Sequence, residues 1–236
     1  MPGLPVLKEK IAAKIEELYG AKYHPLNEIL ITAGATQAIY ATLSAIVFPG
    51  DEVIVIEPAY DCYEPAVKLC GGSVKRCFLQ QPHFAIDWDD VARKITPQTR
   101  LIVINSPHNP LGTILKKEDM DNLWELIKEK NIIILSDEVY EHLIYDGLTH
   151  QSVLAYPHLA ARSFAVFSFG KTYHMTGWKV GYCIAPQALT DALRRVHQFV
   201  TFSVPTPFQW ACKDMMEAFP NYEKGLAEFF QKKRDL

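Results

Sequence analysis

Apolar positions recur along the chain with two periods. In residues 5–19, Leu7, Ile11, Ile15 and Leu18 fall on one face at helical spacing, which predicts an amphipathic helix. ILITAGATQAIYATLSAIVF opens as a short apolar run, turns at Gly34 and continues as a helix. DEVIVIEPAY reads as a strand stopped by a proline, GGSVKRCFL as a second strand, and RLIVINSPHNPLG as a strand running into a loop. A helix follows over 117–129. NIIILSDEVY is a strand with polar residues at its far end, SFAVFSFGK repeats that layout, and KVGYCIAP supplies one more strand. Residues 187–199 and 207–236 carry helical patterns, the second interrupted near Pro220. Short apolar strands separated by helices predict an α/β fold, a doubly wound and mostly parallel sheet in a three-layer α/β/α arrangement. No repeat, low-complexity tract or flexible linker divides residues 1–236.

Composition narrows the classes without choosing among them. A chain of 236 residues, 49% hydrophobic and 22% charged, has the make-up of an ordinary globular protein. A formal net charge of -3, with no lysine/arginine cluster interleaved with aromatics, argues against a nucleic-acid partner. Runs such as NIIIL and VIVI are too short to span a bilayer, so no membrane partner is expected. In MPGLPVLKEKIAAKIEEL, lysines and glutamates occupy the place of a secretory apolar core. The five cysteines (62, 70, 77, 183 and 212) are odd in number and lack a CxxC pair. They read as reduced core thiols of a cytoplasmic protein.

Parallel sheets bind ligands at the carboxyl ends of their strands. Three such ends carry unusual polar residues: NSPHNP, SDEVY and SFGKTYH. Asp137 follows Ile132 to Leu135, so its carboxylate emerges at a strand tip and needs a cationic partner, either Lys171 or the protonated ring nitrogen of a heterocycle. Tyr140 lies three residues on, Asn109 brings an amide from the next strand end, and Tyr60 offers a flat apolar face. AGATQAIYA places Gly34, Ala35 and Thr36 at a helix start, where backbone N–H groups favour an anion. Ser168 and Lys179 can complete that cradle. An anion site, a stacking face, a carboxylate for a ring nitrogen and a lysine able to condense with an aldehyde point to pyridoxal 5′-phosphate, held covalently by Lys171. Glu138 and His142, four apart, have no third ligand spaced nearby, and no metal site is expected. Glu138 reads as structural and Tyr63 as core.

AGATQA, EPAYDCYEP, NSPHNPLG, SDEVYE and SFGKTYHMTGWKVGY occur in one order over nearly the whole chain. In this the sequence resembles the class I/II aminotransferases of fold type I, and within them the methionine and kynurenine (aromatic) enzymes. The resemblance implies that Lys171 carries the cofactor and shuttles the proton, and that Asp137 pairs with the pyridinium nitrogen. It implies that Tyr140 and Asn109 bond the phenolic oxygen, that Tyr60 stacks on the ring, and that Ala35, Thr36, Ser168 and Lys179 hold the phosphate. Lys179 stands where many relatives have arginine, which keeps the charge and loses the bidentate fork. His174 stands where a small or apolar residue is usual and is assigned no role.

The implied activity is transfer of the amino group of methionine or an aromatic amino acid to a 2-oxo acid. The alternatives are a carbon–sulfur β-lyase on the same cofactor, or a cofactor-binding module without turnover. By the same resemblance, 1–236 corresponds to the large cofactor-binding domain, with the N-terminal arm and the small C-terminal domain expected to be absent and about 217–236 beginning the connecting helix. The full-length form is expected to be a homodimer, with 201–206 near the partner's site.

Overall fold

The computed structural model describes residues 2–236. Seven strands form one sheet: β1 (Ile29–Thr32), β2 (Glu52–Glu57), β3 (Ser73–Phe78), β4 (Thr99–Asn105), β5 (Ile133–Asp137), β6 (Ser163–Ser168) and β7 (Gly181–Ile184), in the order β1-β7-β6-β5-β4-β2-β3. The pairs β2–β3, β2–β4, β4–β5 and β5–β6 are parallel. β7 runs antiparallel to both of its neighbours, β6 and β1.

The central strands are buried on both sides, which explains why they read as continuous Ile/Val/Leu runs. Successive residues still serve opposite faces. Ile54, Ile102, Ile104 and Ile134 join one core with Leu7, Ile11 and Ile15 of the Pro5–Tyr19 helix and Met120, Leu123 and Ile127 of the Lys117–Ile127 helix. Val53, Val55, Leu101, Val103 and Leu135 join the other with Ile39 and Leu43 of the Ala35–Ile46 helix and Leu193 of the Gln187–Val200 helix. This is the three-layer arrangement the pattern predicts.

The first helix differs from the sequence expectation in one position. Leu18 is exposed, and Tyr19 takes its place, packed against the core. Four-residue steps from Leu7 through Ile11 and Ile15 lead to position 19, and the Tyr19 hydroxyl donates to Glu141 at 2.5 Å. Towards the C-terminus, helices Thr206–Ala218 and Leu226–Arg234 flank the break near Pro220. Among the described residues no helix is long and apolar enough to cross a membrane. The five cysteines are free.

The registers bring the polar strand ends together. Asn105 at the end of β4 lies opposite Asp137 at the end of β5. Gly181, at the start of the reversed β7, lies opposite both Ser168 at the end of β6 and Thr32 at the end of β1.

Candidate cofactor site

Ala35, Thr36, Tyr60, Asn109, Asp137, Tyr140, Ser168, Lys171 and Lys179 all line one cavity of about 120 Å³ at this carboxyl edge. Residues separated by up to 144 positions in sequence are brought there by the strand ends and the turns that leave them.

One end of the cavity suits an anion. Gly34 precedes the Ala35–Ile46 helix at φ 79°, a left-handed conformation that favours glycine, and no side chain caps the helix start. Gly181 lets β7 approach this turn: a Cβ there would lie 2.6 Å from the Phe167 carbonyl oxygen and 3.0 Å from the Ala35 nitrogen. Lys179, itself left-handed at φ 54°, lays its side chain over Gly34, with Cε and Nζ 3.4 and 3.5 Å from the position of a Gly34 Cβ. A cation beside a helix N-terminus is unfavourable on its own, and an anion between them relieves both. Ser168 adds a hydroxyl from the end of β6.

The other end holds Asp137, which is 4% exposed. Tyr63 donates its hydroxyl to Oδ2 at 2.6 Å, and the Val139 amide donates to Oδ1 at 3.3 Å. Burial pushes the carboxyl up to about 6; the two hydrogen bonds pull against that, and the nearby Lys171 charge adds a smaller pull in the same direction. Within the chain the groups in direct contact with the carboxylate are neutral donors, a tyrosine hydroxyl and an amide, and not the cationic partner expected; Lys171 acts on it only through the weaker pull of its charge. Asn105 ties two parts of the site together, since its Nδ2 donates to the Asp137 carbonyl at 2.9 Å and its Oδ1 accepts from the Asn109 amide at 2.7 Å.

Between the two ends lies Lys171, on the short Phe169–Thr172 helix that leaves β6. Its side chain is exposed, with Nζ 5.4 Å from the Tyr140 ring centroid. The turn behind it is close-packed. Thr176 donates to the Gly170 carbonyl at 3.1 Å, and a Cβ on Gly170 would come within 2.9 Å of the Thr176 Cα. Tyr60 is half-buried and meets Tyr63 edge-on at 5.9 Å.

Two polar residues of the cavity, Asn105 and Thr176, are not singled out by sequence, and Tyr63 is read there only as core. Asn105 carries the same signal as Asp137, a polar residue ending an apolar strand. Tyr63 is buried as core, with its hydroxyl turned into the site. Glu138 is buried away from the cavity and accepts from Ser136, from the Val153 amide and at 2.9 Å faces His150 Nε2. His142 lies instead against Glu141 at 3.3 Å, so Glu138 and His142 have different partners. His174 is exposed beside Tyr222 and Phe230.

Comparison with known proteins gives one family. The family model for aminotransferase class I and II matches residues 1–236. A methionine aminotransferase of Escherichia coli is 50% identical over 236 residues, which is 100% of this chain and 61% of that protein. A kynurenine–oxoglutarate transaminase of Dictyostelium discoideum is 35% identical, covering 99% of this chain and 58% of its own length. A crystal structure of an E. coli protein with a methionine aminotransferase function superposes with a TM-score of 0.98 at 50% identity, covering 99% of this chain and 62% of that one. An aromatic aminotransferase from Pyrococcus horikoshii superposes at 0.92 with 33% identity, covering 99% and 62%. The chain thus spans about three-fifths of the length of these relatives. With the whole of its described length matched, the chain belongs to the class I and II aminotransferases, a family whose members use pyridoxal 5′-phosphate.

Proposed function

We propose that this chain is the cofactor-binding part of an aminotransferase that moves the amino group of methionine or an aromatic amino acid to a 2-oxo acid. The observation that carries this reading is one cavity with a buried carboxylate at one end, an uncapped helix start with a lysine at the other, and the Lys171 amine between them. That donor set fits pyridoxal 5′-phosphate, which has an anionic phosphate, an aldehyde and a ring nitrogen that takes a proton. When bound, the cofactor supplies an electron sink for the α-carbon of an amino acid.

The remaining chemistry belongs to the chain. Asp137 would keep a proton on the ring nitrogen, because a cation at its side stabilises a buried carboxylate. Tyr60 would offer its ring face, and Tyr140 and Asn109 would bond the phenolic oxygen. The first-turn amides at Ala35 and Thr36, with Ser168 and Lys179, hold the phosphate. Lys171 would hold the cofactor, and its amine is placed to take and return the proton at the α-carbon, a role for a positioned amine that contributes roughly 10²–10⁴-fold.

The substrate class follows the E. coli methionine aminotransferase, the D. discoideum kynurenine–oxoglutarate transaminase and the P. horikoshii aromatic aminotransferase. We place the protein in the cytoplasm, in keeping with five free cysteines, and as a homodimer in its full-length form. Phe199, Phe202 and Trp210, which flank the 201–206 segment in sequence, are exposed, as is Trp178 stacked on Phe208, and exposed aromatics of this kind are what a second copy covers. The test is amino transfer from methionine to a 2-oxo acid in the presence of the cofactor. Transfer by the protein and none by Lys171→Ala supports the reading. Transfer at an undiminished rate by Lys171→Ala, or release of ammonia and pyruvate from a cysteine conjugate in place of transfer, overturns it.

A further inference from the structure

Tyr63 opens the Tyr63–Leu69 helix that connects β2 to β3, and its side chain is 2% exposed. Nothing about an aromatic on such a helix requires its hydroxyl to be bonded to a strand end 74 residues away, yet it donates to Asp137 Oδ2 at 2.6 Å. The Val139 amide takes the other oxygen, so the carboxylate is gripped through both of its atoms. The further charged or titratable groups around the pair are Glu138 beside Asp137 in the chain, Cys62 and Tyr60 beside Tyr63, Tyr140 in the same cavity, and Lys171 from beyond β6. Glu138 is bonded elsewhere, and Lys171 is exposed. Tyr63 is thus the side chain in direct contact with the buried carboxylate.

We propose that Tyr63 is a positioning residue for Asp137, its hydroxyl fixing the direction of the carboxylate and holding it in the charged form near neutral pH. The consequence for catalysis rests on the reading of Asp137 as partner to the cofactor's ring nitrogen; the hydrogen bond does not. Burial alone favours the neutral acid, and a hydrogen bond donated to the charged form opposes it. Burial, then the charge of Asp137, push the Tyr63 hydroxyl well above the ordinary tyrosine range, so it stays protonated and remains a donor throughout the working pH range.

The test is the titration of Asp137, followed in the cofactor-free protein by infrared or ¹³C-carboxyl signals and located by their loss in Asp137→Asn. Tyr63→Phe keeps the ring and deletes the donor. It is expected to raise the Asp137 midpoint by roughly one to two pH units, the equivalent of one hydrogen bond to a charged group. Replacing Tyr63 by 3-fluorotyrosine, a stronger donor of the same shape, is expected to lower the midpoint, and this variant serves if Tyr63→Phe does not fold. In the cofactor-loaded protein the pH profile of the visible spectrum shifts in the same sense. A midpoint unmoved in both variants overturns the proposal. A protein that takes up no cofactor yet shows both midpoint shifts overturns the proposed function and leaves the Tyr63–Asp137 coupling standing.

Discussion

Gly181 lies against Ala35 so closely that a Cβ on the glycine would sit 3.0 Å from the Ala35 nitrogen and 2.6 Å from the Phe167 oxygen. The reversed strand β7 is thereby pressed onto the start of the helix that forms the anion end of the cavity. Gly181→Ala is expected to force the two apart. It should destabilise the fold by about 1–3 kcal/mol, the usual cost of overpacking, and weaken cofactor binding in parallel. Chemical denaturation and a cofactor titration of the same variant check both effects; an unchanged midpoint and affinity would show that the contact is slack.

Among the described residues, Lys179 supplies the one charged side chain of the cavity at the anion end. Lys179→Ala is expected to weaken cofactor affinity about tenfold or more, as loss of one charge-assisted contact does. Lys179→Arg keeps the charge and should retain most of the affinity. Affinities of the two variants, measured at two salt concentrations, separate charge from shape. Equal affinity in the wild type and Lys179→Ala would remove Lys179 from the phosphate cradle.

Asp137 carries a stability cost in the cofactor-free protein. Its carboxyl is raised from 3.8 in the unfolded chain to about 6 in the fold, so its contribution is present below pH 4 and is lost as pH rises through 6. Asp137→Asn, which keeps the shape and an acceptor for Tyr63, is expected to stabilise the cofactor-free protein at pH 7 by up to about 3 kcal/mol and to abolish amino transfer. Thermal unfolding at pH 4.5 and pH 7 checks the sign. The stabilisation should be larger at pH 7, and a variant less stable than wild type at pH 7 would contradict it.

Glu141 behaves in the opposite way. Burial pushes its carboxyl up, but the Lys14 ammonium at 2.7 Å and the neighbouring His142 outweigh burial and hold it well below the usual range. A depressed carboxylate contributes stability above its unfolded value of 4.5, and that stability is lost as pH falls below it towards the folded value. Glu141→Gln leaves Lys14 without its buried partner and is expected to cost about 3–5 kcal/mol at neutral pH, with a smaller gap from wild type in acid. Urea unfolding at pH 7 and pH 3 tests this. A gap that is constant with pH would mean that the pair contributes nothing electrostatic.

Much of the site was legible because the fold places chemistry at strand ends. Asp137 announces itself where the apolar run from Ile132 to Leu135 stops, and Gly34 announces the helix start by its residue type. Strand direction was not legible: a buried strand reads as an apolar run whichever way it points, so nothing in KVGYCIAP marks β7 as reversed. Tyr63 was legible as core, but its bond to Asp137 joins segments 74 residues apart and leaves no local pattern. Leu18 and Tyr19 both fit a helical face on paper, since three- and four-residue steps are equivalent there; in the fold it is Tyr19 that packs against the core and donates to Glu141.

The most direct measurement fixes the cofactor to the chain with borohydride and locates the modified residue by peptide mass spectrometry. The expected result is modification of Lys171 alone, eliminated in Lys171→Ala and prevented when methionine is added before the reductant. Modification at Lys179 or another lysine, or none in protein exposed to saturating cofactor, would contradict the assignment of Lys171 as the residue that holds it.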